Sequence, residues 1–591
     1  MTLRSMLSFS TARGLAALVA LAVAGACTGS LRAEAPAQAA GDADTLRSPF
    51  GDFLAARHAE RTNDAARAAE LFTSILTHSP DNPALMRQAT NQLLATGRVA
   101  EAAAVAARYM KHEPESVLAG LTLAMAELAA RKTGAAEERL AKLPMRGLGS
   151  YFIPLTLSWT KFARGNVDGA LETLAPLAKL RGGQPFVDYH SALMLDLANQ
   201  NERAAEHFEK LSADGFSGYV RFVEAAGGFW ERRGETAKAR DIYSEYLKRR
   251  PDAMPIEIAA ASLGADGGKA ARTVNDAYQG AAEALYNIAT LLNQENVSDI
   301  AMMVLQLSLH LRPDFDPARV LQGDILAGMG RDVDAIAAYD RVSRTGPLGW
   351  PARLRAAQLL DRIGKGAVAY ARLRDMAAEK PERSDALVTL GDLLRYQKRY
   401  AEAVEAYDAA FKRIGELQPR YWSLLYARGI ALERSKKWDR AEADFLKALE
   451  FEPDQALVLN YLGYSWVEKG RHLDRALGMI EKAVRLRPSD GFIIDSLGWA
   501  HYQLKNFTRA VTFLERAVEL TPQDPTINDH LGDAFWRVGR YYEARFQWSR
   551  ALSLGPEPGE APKIEKKLAD GLPGAGVKRE AAGSGRGRSG G

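Results

Sequence analysis

The chain has 591 residues, 47% hydrophobic and 25% charged, with a formal net charge of +4. That is ample apolar surface for a folded core, and a body this close to neutral gives no electrostatic ground for a nucleic-acid partner. A single cysteine excludes a disulfide framework and a cysteine-zinc module.

Residues 1–27 read as an export signal. Arg4 and Arg13 flank the start of an uncharged run, Gly14 to Ala26, too short for an ordinary membrane span. The sole cysteine follows in Ala24-Gly25-Ala26-Cys27, which resembles a bacterial lipobox, with Cys27 lipidated as the mature N-terminus. Ala24 departs from the leucine usual at that place. A second small-x-small site, Ala33-Glu34-Ala35, would let an ordinary signal peptidase remove Cys27 altogether. In the lipoprotein reading, Thr28 in place of aspartate points to the periplasmic face of the outer membrane; in the other the protein is soluble in the periplasm. Residues 28–46 read as a flexible tether.

Fourteen alanines then keep a nearly constant spacing: Ala68, Ala102, Ala136, Ala170, Ala204, Ala239, Ala301, Ala335, Ala369, Ala403, Ala441, Ala476, Ala510 and Ala544. Most steps are 34 residues, and a proline stands twelve residues after ten of them, from Pro80 to Pro556. With 25 prolines in the chain, chance would put fewer than one at that offset. In the unit Leu497 to Pro522, Gly498 and Ala510 are small where two helices meet. Leu514 and Ala517 extend an apolar stripe, and Pro522 ends the second helix. Gly532, Ala544, Trp548, Ala551 and Pro556 repeat the plan.

This pattern resembles the tetratricopeptide repeat. The resemblance implies an all-α superhelical solenoid of about fourteen helix-turn-helix repeats with a mid-chain joint. Six degenerate repeats occupy residues 47–252, and eight clearer ones 282–558. The step from Ala239 to Ala301 is 62 residues, which makes 253–281 a joint, and four extra residues near Gly415–Arg420 lengthen one turn. Residues 559–570 form a capping helix over the last repeat, at Ala561–Asp570. The Gly-rich tail 571–591, with Lys578, Arg579, Arg586 and Arg588, reads as disordered and solubilising.

No catalytic constellation stands out. His207, His310 and His530 fall singly inside repeat helices, as packing or surface residues. Gly267-Gly268-Lys269-Ala270 lacks the first glycine and the Ser/Thr of a phosphate loop. The chain reads as a non-enzyme that needs no cofactor and no metal.

In tetratricopeptide arrays the residues flanking the small position of each first helix point into a concave groove. Three consecutive units read Asn460-Tyr461-Leu462-Gly463-Tyr464, Asp495-Ser496-Leu497-Gly498-Trp499 and Asp529-His530-Leu531-Gly532-Asp533. The resemblance therefore nominates Asn460, Asp495 and Asp529, then Tyr464, Trp499 and Asp533, with Tyr502 and Trp536 one turn further. Such a ladder suits an extended peptide or an inserted helix, with Trp499 and Trp536 as anchors. The competing reading is that these side chains pack between neighbouring helices. The N-terminal half has no equivalent ladder and reads as a second docking surface or a spacer.

The last three repeats resemble those of bacterial outer-membrane tetratricopeptide lipoproteins. They are similar in particular to the adaptors that hold a periplasmic carboxyl-terminal processing protease and its cell-wall hydrolase substrates. The shared features are the lipobox, the long array with its joint, the segment Ala282–Leu291 and the ladder series. The resemblance implies tethering, in which an N-terminal lipid anchor and a superhelix raise the effective concentration of two protein clients. Two alternatives stay open. One is a structural scaffold for an envelope machine such as polysaccharide export or outer-membrane biogenesis; the other is an enzyme or its regulatory arm.

Overall fold

The structure is a computed structural model and describes residues 48–213, 219–251, 253–263 and 270–573. The export signal with Cys27, the tether, Gly267-Gly268-Lys269 and all but the first three residues of the tail lie outside the described residues. Among the described residues the chain is all helical, with 30 α-helices and no strand.

Antiparallel helix pairs follow the sequence period. All fourteen frame alanines are fully buried, at 0% exposure. They must be small because the first helix of each pair crosses there. In seven pairs the crossing position is a glycine lying under the residue one turn beyond the alanine. A Cβ on Gly391 would come within 2.5 Å of the Tyr407 ring, on Gly429 within 2.5 Å of Phe445, and on Gly532 within 2.5 Å of Trp548.

The turn inside each pair is equally regular. Five residues before thirteen of the alanines stands a residue with positive φ, among them Asn63, Gly97, Arg131, Gly165, Lys398, Lys436, Lys505 and Gly539. The next amide reaches back to close the helix end, as in Arg98 N to Leu93 O at 2.9 Å and Lys437 N to Leu432 O at 2.8 Å. Before Ala476 one extra residue is accommodated by two left-handed residues, Gly470 and His472.

Two compact units part inside the helix Gly366–Glu379, between Ala369 and Tyr370, and not at the 253–281 insertion. The reason lies in how the first unit is packed. Its first six pairs turn their first helices to a common face, and the seventh pair, Ala277–Gln294 with Ser298–Leu311, folds back onto that face. The helix Ala277–Gln294 lies along Gly149–Ala163 and Gln184–Leu197, while Ser298–Leu311 lies along Pro83–Ala95 and Val117–Ala129. Every residue from Ala301 to Leu309 is buried, as a helix apolar on all sides requires.

Close approach here depends on Gly280, where a Cβ would come within 2.3 Å of the Trp159 ring. Polar groups fix the register. Glu283, at 0% exposure, accepts from Tyr189 Oη at 2.9 Å and from Arg221 Nη2 at 2.8 Å. Burial works against its charge, but Arg221 and Tyr189 hold its carboxyl below the ordinary value. Trp159 Nε1 donates to His190 Nδ1 at 3.1 Å, and His190 Nε2 lies 3.4 Å from the side-chain amide of Asn287. Arg131 covers the Tyr278 ring at 3.5 Å. Thus the concave face of the first unit is filled by the chain's own helices.

The second unit stacks five pairs from Asp385 to Ser553, followed by the helix Ala561–Asp570. Ile564 of that last helix is buried against the final pair. The stack curves enough to bring Lys398 Nζ, in its first turn, 2.6 Å from Glu557 Oε1 beyond its last helix. Both side chains are exposed, so the pair reports curvature more than it contributes stability.

Candidate functional site

The first helices of the second unit are Asp385–Tyr396, Trp422–Arg434, Ala456–Glu468, Gly491–Gln503 and Pro525–Arg537. Their packing against the second helices at Gly391, Gly429, Gly463, Gly498 and Gly532 sets which side chains face away from that contact. Residues three before, one after and four after each glycine therefore recur on one helical face.

The eight nominated residues fall into two groups. Asn460, Tyr464, Trp499 and Tyr502 are half-buried. Trp499 is the centre of a stack: its ring lies 4.7 Å from Tyr502 at 5° and 4.0 Å from His530 at 15°. Its Nε1 donates to the Glu468 carboxylate of the preceding repeat. Asp495 is buried beneath, 3.0 Å from His530 Nδ1. Burial opposes charge on His530, but the charge and hydrogen bond of Asp495, with Asp529 and Asp533 behind, raise its pKa. An imidazolium on an indole face is a favourable pairing. Asn460 Oδ1 is buried without a hydrogen-bond partner among the described residues. Burial is the main cause that pushes the Tyr464 hydroxyl up, with Glu468 and Asp495 adding to it.

Asp529, Asp533 and Trp536 form the second group, and the chain's own C-terminal segment engages them. Lys567 Nζ lies 2.8 Å from Asp529 Oδ2 and 2.8 Å from Asp533 Oδ2. Burial works against this ammonium, and the two carboxylates more than offset it, raising its pKa. Asp533 also accepts from Trp548 Nε1 at 2.9 Å. Trp536 is 3% exposed, packs on Tyr541 and Trp548, and donates to the Leu572 carbonyl at 3.2 Å. Gly571, at φ +72°, lies against that ring, where a Cβ would come within 2.0 Å. These three residues are interior at the capped end, so the open ladder stops at Trp499 and Tyr502.

At its other end the face extends further than the nominated residues. A cavity of about 230 Å³ lies between Asp385–Tyr396 and Trp422–Arg434, lined by Val388, Asp392, Arg395, Tyr426, Ala427 and Ile430 among others. Tyr426 and Ile430 hold, around Gly429, the places that Asn460 and Tyr464 hold around Gly463. Carrying the same register one repeat upstream of Asn460 and Tyr464 finds them. Tyr426 meets Tyr461 edge-on at 6.0 Å, and Tyr461 Oη donates to Glu433 Oε2 at 3.3 Å. The open face is thus an aromatic and aliphatic strip with Arg395 at one end and the Trp499 stack at the other. It offers apolar contact and a few hydrogen-bonding groups. Among the described residues no three His, Cys, Asp or Glu side chains gather as a metal ion would need.

A tetratricopeptide-repeat family model matches residues 194–253, 388–456, 426–491 and 468–525. The TPR repeat-containing protein PA4667 of Pseudomonas aeruginosa is 29% identical over 173 residues, 29% of this chain. The chain spans 29% of the length of that curated relative. Among solved structures, the Cut9–Hcn1 tetramer of the APC/C is similar at 14% identity and a TM-score of 0.37, over 90% of this chain and 97% of that one. A tetratricopeptide repeat protein from Parabacteroides merdae is similar at 16% identity and a TM-score of 0.36, over 43% of this chain and 98% of that one. The matched segments are tetratricopeptide repeats, and helix pairs continue the same register on either side of them.

Proposed function

We propose that the protein is a non-enzymatic scaffold whose second unit binds a partner protein along its open concave strip, from Arg395 to Trp499. The observation that carries this reading is the contrast between the two concave faces. The first is filled by Ala277–Gln294 and Ser298–Leu311, while the second keeps half-buried aromatic rings along its first helices. Rings left half exposed on a rigid helix bind at low entropic cost. The strip suits an extended segment or one helix of a partner.

The finer reading is an envelope adaptor, anchored through lipid on Cys27 at the periplasmic face of the outer membrane. It would bring a periplasmic processing protease to cell-wall hydrolase substrates. Support comes from the lipobox-like Ala24-Gly25-Ala26-Cys27 and from the likeness of the ladder repeats to those of such adaptors. The test is affinity capture of the full chain from gently solubilised envelopes, wild type against Tyr464→Ala/Trp499→Ala. A protease or hydrolase held by wild type and lost from a still-helical variant is the expected result. Equal capture by both proteins overturns the strip as the binding face. Cys27→Ser should release the chain from membranes and abolish acyl incorporation; unchanged membrane association overturns the anchor.

A further inference from the structure

The first unit holds a polar cavity of its own. Where the inserted helix Ser298–Leu311 meets the turn at Thr96 and Gly97, a cavity of about 290 Å³ opens to solvent. Arg319 and Gln322 line it from the helix Asp316–Gly328, and Arg341 from the end of the following helix. Gln306 and His310 line it from the inserted helix.

Three observations about this cavity belong together. First, it holds two guanidinium groups, and among the described residues neither has a carboxylate at ion-pair distance. Arg319 donates only to the Gln322 side chain at 3.3 Å and the Pro313 carbonyl at 3.2 Å. Burial and the neighbouring Arg341 charge both depress its pKa, with Asp316 opposing weakly. Asp316 itself takes the Ser343 amide at 3.0 Å instead. Second, Gln306 and Gln322 are each 8% exposed, so two polar side chains are more than nine-tenths buried at the cavity wall. The Gln306 amide donates only to the Met302 thioether, at 3.7 Å, which leaves its hydrogen-bonding capacity largely unused. Third, Gly97 stands at φ +77° with space for a Cβ limited to 3.0 Å from Gln306 Oε1, which keeps the turn tight against the amide.

Two like charges held together without an ion-paired carboxylate are unfavourable, and a nearly buried amide without a strong partner adds to the cost. A dianion relieves both at once. Guanidinium forks match phosphate oxygens in pairs, and the Gln306 side-chain amide supplies a further donor. We infer that the cavity between Arg319, Arg341 and Gln306 is a binding site for a small dianionic oxyanion, inorganic phosphate or a phosphate monoester. A single carboxylate would leave one guanidinium uncompensated, so the site discriminates by charge.

The test uses the full chain in chloride buffer at constant ionic strength. Inorganic phosphate, glycerol phosphate and acetate are titrated separately, with binding read by calorimetry and by thermal shift. Phosphate or its ester should bind and raise the melting temperature, and acetate should do neither. Binding of the ester tighter than phosphate identifies a phosphorylated metabolite as the source, and the reverse a free ion; either supports the site. Arg341 is exposed, so Arg341→Ala should fold normally and weaken binding about tenfold or more, while Arg341→Lys retains part of it. The His310 ring gives an independent readout, because a bound dianion should raise its pKa, which burial alone lowers. Equal responses to acetate and phosphate overturn the inference. So does a phosphate response that Arg341→Ala leaves unchanged.

Discussion

The indole of Trp499 lies flat on the imidazole of His530, with centroids 4.0 Å apart and planes at 15°. Asp495 holds the other side of the imidazole through Nδ1, and the folded pKa of His530 is raised above its ordinary value. Such a group stabilises the fold fully below the unfolded pKa of about 6.5, and loses that contribution as pH rises through the folded value. The second unit should therefore lose, as pH rises above about 6.5, stability that His530→Gln does not lose. Urea unfolding of both proteins across that range measures the difference. Identical pH profiles would show that the stack holds a neutral imidazole.

His190 in the first unit has the opposite sign. Burial lowers its pKa to about 4, and its Nδ1 must stay unprotonated to accept from Trp159. Its contribution is present above the unfolded value of about 6.5 and fades as pH falls towards 4, by roughly 3 kcal/mol in all. Protection of residues 277–311 against hydrogen exchange, corrected for intrinsic rates, should drop over that window. His190→Gln should flatten the drop. A wild-type profile that is flat on acidification excludes the His190 contact as a pH-sensitive support of the inserted pair.

Most of the fold was legible because the repeat makes the same demand fourteen times. Ala68 through Ala544 are small for one geometric reason, and the glycines sixteen or so residues before their bulky partners, such as Gly391 and Tyr407, share it. The left-handed turn residues were less legible: glycine and asparagine announce that conformation, but Arg131, Lys398, Lys436 and Lys505 adopt it under the pressure of packing on either side. The inserted pair was missed for a different reason. Period alone places Ala277–Leu311 next in line, whereas the pair packs back on the first helices of earlier repeats. One signal was present, since Ala301-Met302-Met303-Val304-Leu305 followed by Leu307 and Leu309 leaves no polar face for solvent. The ladder was found in register but not in extent. Trp499 and Trp536 look alike from their surroundings in sequence, and only the cap decides which one stays open.

Two glycines should respond oppositely to the same change. Gly280 touches the Trp159 ring, and a Cβ there would sit 2.3 Å from it, so Gly280→Ala should cost about 1–3 kcal/mol through overpacking. Gly478 is exposed within the helix Leu473–Leu486 and meets nothing within 4 Å. Gly478→Ala should stabilise by about 0.5–1 kcal/mol. Thermal unfolding of the two variants against wild type measures both. If Gly280→Ala is neutral, the inserted pair does not pack on Trp159 as closely as described.

Trp536 and Trp499 separate stability from binding. Trp536 is enclosed by Tyr541, Trp548, Gly571 and Leu572, so Trp536→Ala opens a cavity and should cost about 3–5 kcal/mol, loosening the helix Ala561–Asp570. Trp499 is half-buried, and its removal gives up one stacked face on Tyr502 and one on His530, about 1–2 kcal/mol. A double variant would confound the two effects, because a loosened cap would also lose the partner. The single variants should instead diverge: Trp536→Ala lowers the melting temperature more, and Trp499→Ala lowers partner capture more. Lys567→Ala supplies the control, since it frees the Asp529 and Asp533 carboxylates from the cap without touching the strip at Tyr464. If Trp499→Ala melts as early as Trp536→Ala and captures as well as wild type, the Trp499 stack is core, and binding must be sought at Tyr426 and Ile430.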